Sequence, residues 1–151
     1  NSRGELWRAW PPILDSHPAL RLLVSHLGLP PRCAQPPTLA EAAARLAVVT
    51  ALARYPSVQV KLSGLYALTD PGHDYPHRAA WPYIETIAQT FGPGRMLWGS
   101  DFSPALEQVS FAQTCGVVDR LPGFSAAERS AILEDNLAEL LHAALVNTPL
   151  P

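Results

Sequence analysis

The sequence predicts an α/β fold in which parallel strands alternate with helices, arranged as part of a (β/α)8 barrel. Short apolar runs of strand length alternate with amphipathic segments of helix length. Each run stops at Gly or Pro, and each carries a polar residue at its far end. Those polar ends recur at a near-constant interval, 37 residues from His26 to Ser63 and 38 from Ser63 to Asp101. Strands separated by helices pair in parallel through right-handed crossovers. In a barrel of serial βα units, reactive groups sit at the carboxyl ends of the strands. A small open α/β sheet of three or four strands satisfies the same pattern.

A first helix is expected over residues 5–14. Residues 20–26, Leu-Arg-Leu-Leu-Val-Ser-His, form the first apolar run and stop at Leu27-Gly28-Leu29-Pro30-Pro31. Thr38-Leu39-Ala40-Glu41 is a capping box, in which the Thr hydroxyl accepts from a first-turn N–H and Glu41 reaches back to the cap. It opens an Ala-rich helix with Leu39, Leu46, Val49 and Ala53 near one face, ended by Tyr55-Pro56. Residues 58–63, Val-Gln-Val-Lys-Leu-Ser, are the second run, closed by Gly64. Pro82 suits the first turn of a helix carrying Ile84, Ile87, Ala88 and Phe91, stopped by Gly92-Pro93-Gly94. Residues 95–101 are the third run, and a short helix is expected after Ser103-Pro104. Ser125-Ala126-Ala127-Glu128 is a second capping box, ahead of Ile132, Leu133, Leu137, Leu140, Leu141 and Ala144 on a last helix.

Composition narrows the function. The 151 residues suffice for one domain, residues 1–151, with 48% apolar and 16% charged residues and a mean hydropathy of +0.05. A net charge of −2 and a pI near 6.2 supply no basic field for nucleic acid or anionic lipid. No apolar signal core occurs in the first twenty residues, and the longest apolar stretch, 46–53, falls far short of the ~20 residues of a membrane span. Cys33 and Cys115 lack metal-binding spacing and suit free thiols in a cytoplasmic protein. A complete eight-unit barrel needs about 250 residues. The chain opens at Asn1 with no initiator Met, so it is expected to be part of a longer chain.

Few residues could carry chemistry. Asp101 follows an apolar run directly, where a carboxylate can be a general base, a metal ligand, or simply a loop or cap residue. His26, at the end of the first run, can orient a carbonyl, bind a metal, or donate to backbone. Strand alternation puts Lys61 and Ser63 on one face, with Lys61 either lining a barrel interior or snorkelling at a strand end. His73 and His77 stand four apart, but Gly72 and Pro76 argue against the helix a zinc pair needs; His77 and Arg78 remain loop candidates for substrate contact. His17 and His142 read as surface or helix-flanking residues. H-x-H, H-E-x-x-H, G-x-G-x-x-G, phosphate-loop and G-x-S-x-G patterns are all absent from the sequence.

Taken together, Val24-Ser25-His26-Leu27-Gly28, Val60-Lys61-Leu62-Ser63-Gly64-Leu65-Tyr66 and Arg95-Met96-Leu97-Trp98-Gly99-Ser100-Asp101-Phe102 resemble the last three strands of the amidohydrolase-related family. Ile132-Leu133-Glu134-Asp135-Asn136-Leu137 resembles its terminal helix. Within the family the likeness is to the 2-pyrone-4,6-dicarboxylate lactonase group of TIM-barrel hydrolases, of which the chain resembles the carboxyl-terminal half. The resemblance implies hydrolysis of a lactone or similar cyclic ester. Asp101 would be the general base for water, and His26 would polarise the carbonyl or hold the substrate. Tyr66, Ser63, Lys61, His77 and Arg78 would contact the substrate. It favours no metal; the alternative is one divalent ion such as zinc on His26 and Asp101. Two departures bear on the substrate: Ala67 stands where the group carries Arg after the Tyr, and Phe102-Ser103-Pro104 stands where it reads Trp-Pro-His. Other lactones, sugar lactones among them, fit these changes. A metal-dependent decarboxylase of the same superfamily and a non-catalytic remnant module are the competing readings. The expected partners are a small-molecule substrate and either a second copy or a missing amino-terminal half.

Overall fold

The computed structural model describes residues 4–146. Its three strands, β1 (Leu22–Val24), β2 (Val58–Leu62) and β3 (Met96–Trp98), form one parallel sheet in the order β1-β2-β3. The register sets Val24 beside Val60 and Val60 beside Met96, a row with no solvent exposure. That row packs on α2 (Leu39–Thr50) and α3 (Trp81–Phe91), which bury Leu46, Val49, Tyr83, Ile84 and Ile87 against it. Thr38 and Glu41 close the expected capping box on α2. Ahead of β1, a tight turn over Gly4–Ala9 leads into α1 (Trp10–Ser16), and the buried Trp7 indole donates to the Gly28 carbonyl at 3.0 Å. After β3 come α4 (Phe102–Ala105), α5 (Phe111–Arg120), α6 (Ala126–Ser130) and α7 (Asn136–Val146).

The strands are shorter than the apolar runs. β1 stops at Val24 because Ser25–Gly28 curls into a tight turn, with His26 and Leu27 both at φ 55. His26 therefore lies just past the strand rather than ending it. A helix absent from the sequence-based expectations, α5, is opened by a capping box of Ser110 and Gln113; only Val117 and Val118 of it are buried.

The last helix also departs from expectation. A π-helical turn, Ala131–Asp135, separates α6 from α7, and the apolar stripe is only partly buried. Ile132 is buried, but Leu137 and Leu141 are 41% and 54% exposed. Asn136 turns inward instead, its amide donating to the carbonyls of Pro93 at 2.9 Å and Met96 at 2.7 Å. Carbonyls at the buried entry to β3 need donors, and leaving such groups unpaired costs about 1–3 kcal/mol. The side chain of Ala144, expected on this stripe, lies outside the described residues.

The opposite sheet face is less covered. Leu23 is 39% exposed in mid-strand, and its neighbours Gln59 and Lys61 are half-buried. Among the described residues no helix is long and apolar enough to cross a membrane.

Candidate active site

Each strand is followed, within two or three residues, by a left-handed residue. His26 (φ 55), Gly64 (φ 64) and Asp101 (φ 50) each turn the chain sharply at the carboxyl edge of the sheet. This conformation is natural for Gly and most tolerable among side-chain-bearing residues for Asn, Asp and His. The turns thus hold an imidazole and a carboxylate at the mouth instead of letting them follow the strand direction.

The two groups converge. His26 Nδ1 lies 3.9 Å from Asp101 Oδ2, and 2.9 Å from the Ser63 hydroxyl. The Tyr66 hydroxyl donates to the same Oδ2 at 2.8 Å. Gly64 lies between them: a Cβ built there would sit 2.6 Å from His26 Nδ1 and 3.3 Å from Asp101 Oδ2. Burial pushes the His26 pKa below its ordinary 6.5, with Asp101 opposing the shift and Lys61 adding to it, so the ring is neutral at pH 7. Burial first, and then the bond to Asp101, hold the Tyr66 hydroxyl well above its ordinary 10, keeping its proton in place.

Lys61, the chain's single lysine, projects from the less covered sheet face beside these groups. Its stem lies over Gly99, where an added Cβ would stand 2.9 Å from Lys61 Cδ. Gly99 thereby makes room for the lysine; among the described residues no ion pair engages it.

The loop candidates fall elsewhere. His77 is buried, and its Nδ1 pairs with the Thr69 hydroxyl at 3.0 Å. With Ser63, Gly64 and Tyr66 it lines a cavity of about 20 Å³, room for about one water molecule. Burial lowers its pKa to about 4. The folded protein therefore resists protonation that the unfolded chain accepts near 6.5, and stability falls as pH drops from 6.5 towards 4, by at most about 3 kcal/mol. Urea unfolding at pH 7 and pH 4.5 is expected to show this loss in the parent and not in His77→Asn; equal losses in both would contradict it. Arg78 is exposed, its guanidinium 5.2 Å from the Trp81 ring.

One residue that sequence reasoning missed is Arg32. It lines an open groove of about 610 Å³ with Tyr66, Ala67 and Gln108, beside the strand mouths. It donates to the Thr69 carbonyl at 2.6 Å and pairs with Asp70 at 3.1 Å, joining the loops after β1 and β2. No local pattern marks it, because its place follows from the pairing of two distant loops at Cys33 and Thr69.

The amidohydrolase family model matches residues 11–143. The chain belongs to the amidohydrolase family. It is similar to an amidohydrolase from Burkholderia multivorans solved with bound zinc, at a TM-score of 0.71 and 30% identity, over 88% of this chain and 48% of that one. A putative 2-pyrone-4,6-dicarboxylic acid hydrolase from Pseudomonas putida superposes at a TM-score of 0.65 with 26% identity, over 89% of this chain and 48% of that one. An L-fucono-1,5-lactonase from Burkholderia ambifaria is 31% identical over 86 residues, which are 57% of this chain and 27% of that protein. This amidohydrolase chain thus spans about half the length of its solved relatives, and its fold is similar to theirs.

As for a metal, no group of three or more His, Cys, Asp or Glu that could hold an ion occurs among the described residues. His26 and Asp101 are nonetheless a chemically suitable pair, and zinc sites draw on both residue types.

Proposed function

We propose that the chain forms the last three βα units of a (β/α)8 barrel, folding as a single domain over residues 1–151, and that the completed enzyme hydrolyses a lactone or similar cyclic ester. The observation that carries this reading is the meeting of His26, Asp101 and Tyr66 at adjacent strand ends, in a chain of the amidohydrolase family. Asp101 is the general base. Its Oδ2 is engaged by Tyr66, and Oδ1 takes the proton from a water whose oxygen attacks the ester carbonyl. The ring C–O bond then breaks, and the departing alkoxide receives the proton held by Asp101, giving the hydroxy acid and restoring the carboxylate. His26 flanks the carboxylate and orients water or substrate. Lys61 and Tyr66 contact the substrate directly; Ser63 and His77, whose polar groups already serve His26 and Thr69, act through those neighbours. Arg78 reaches substrate only from the loop rim.

The zinc in the Burkholderia multivorans relative favours a metal-assisted version of the same reaction. His26 and Asp101 would hold the ion together with residues from the rest of the barrel. A divalent ion there would polarise the carbonyl and acidify a bound water. Stoichiometric metal lost on His26→Asn replacement would establish this version.

The test is a panel of sugar lactones, aromatic lactones and pyrone carboxylates, assayed with the chain alone and after mixing with the amino-terminal half of a relative. Ring opening of at least one lactone by the complemented protein is expected; hydrolysis of none would overturn the reading. Left alone, the chain is expected to be weakly active and to self-associate. A parallel sheet is normally covered on both faces, and β1 and β3 are open edges among the described residues. Light scattering is expected to show dimers or larger species, and a monodisperse, fully active monomer would contradict this.

A further inference from the structure

We propose that Ser63 and Asp101 are positioning residues that fix His26 with its proton on Nδ1, so that Nε2 presents a lone pair at the strand mouth and His26 is an acceptor rather than a carbonyl-polarising donor. The inference deepens the site described under the proposed function and rests on it. Two groups face Nδ1: the Ser63 hydroxyl at 2.9 Å and Asp101 Oδ2 at 3.9 Å. The hydroxyl can donate or accept, whereas a carboxylate can only accept. Were Ser63 to donate to Nδ1, the ring's lone pair would be turned towards the carboxylate oxygen, two acceptors facing each other. A proton on Nδ1 faces both oxygens favourably.

The other nitrogen is accessible. Among the described residues no hydrogen bond engages His26 Nε2 and no buried side-chain nitrogen or oxygen lacks a partner, so among them Nε2 is left open to solvent. In a neutral imidazole the nitrogen opposite the N–H carries the lone pair. The pair therefore offers the mouth two acceptors, His26 Nε2 and Asp101 Oδ1. Both suit holding and deprotonating a water. Neither meets negative charge developing on a carbonyl oxygen, which falls to a cation outside the pair, such as Lys61 or a bound ion.

The imidazole nitrogens can be read directly. The 151-residue chain, uniformly 15N-labelled and treated with EDTA, is placed at pH 7.5 and probed by long-range 1H–15N correlation, with His26 assigned by the signals lost in His26→Asn. Among the five histidines, His26 is expected to show a protonated Nδ1 and an unprotonated Nε2. Ser63→Ala and Asp101→Asn are each expected to raise the Nε2–H population several-fold. A parent spectrum dominated by Nε2–H would overturn the proposal, as would populations unmoved in both variants. The measurement needs no substrate, so a failed lactone assay and a failed tautomer assignment are separate results.

Discussion

Asp101→Asn is expected to slow lactone hydrolysis by the complemented enzyme at least about 100-fold while leaving the fold intact. A positioned general base contributes about 10²–10⁴-fold, and asparagine has the shape of aspartate without its basicity. The backbone tolerates the change, because Asn is among the residues most at ease at the left-handed φ of 50 found here. The Asn carbonyl can still accept from Tyr66, so the hydrogen bond that fixes the side chain survives in kind. Steady-state kinetics together with a thermal melt separate lost chemistry from lost structure. Turnover within tenfold of the parent, a barrier change under about 1.4 kcal/mol, would remove Asp101 as the base.

Gly64→Ala is expected to be nearly as damaging by a different route. The added methyl would enter 2.6 Å from His26 Nδ1 and 3.3 Å from Asp101 Oδ2, wedging apart the two groups that form the site. It would also impose a side chain on a left-handed residue, at a cost of about 1–3 kcal/mol. Gly123→Ala separates the two effects, since Gly123 has φ +80 and a methyl added there would meet nothing within 4 Å. Both variants should melt lower than the parent, and only Gly64→Ala should lose about 100-fold in kcat/KM. Equal activity of the two would show that Gly64 is needed for its backbone alone.

Local rules made most of the framework legible. The capping boxes at Thr38 and Ser125 placed α2 and α6, Pro82 and the Gly92-Pro93-Gly94 stop placed α3, and the Gly or Pro stops after each apolar run placed the parallel strands. The same rules also covered Ser110-Phe111-Ala112-Gln113, but α5 has too narrow an apolar face to announce itself. The π-helical turn before Asn136 was invisible for another reason. It answers carbonyls at Pro93 and Met96, some forty residues away, which no short window contains.

The site divides along the same line. That His26 and Asp101 would share one mouth followed from strand-end spacing, and the parallel register brings it about. Which side chains act on which did not follow. Alternation placed Ser63 with Lys61, yet a left-handed turn at His26 brings its ring to the Ser63 hydroxyl, and one at Asp101 brings its carboxylate to Tyr66. Partnerships set by backbone turns depend on where three separate loops are held, and His77 shows the cost: a loop position that reads as reachable is buried on Thr69.

The central claim is that His26 and Asp101 work as one unit, and a double-mutant cycle on kcat/KM tests it most directly. His26→Asn, Asp101→Asn and the double variant are compared with the parent under identical complementation. Groups acting as a unit lose their joint effect once either is gone. The double variant is therefore predicted to be no slower, within about threefold, than the slower single variant. Losses that multiply in the double variant would show two independent groups and contradict the shared site.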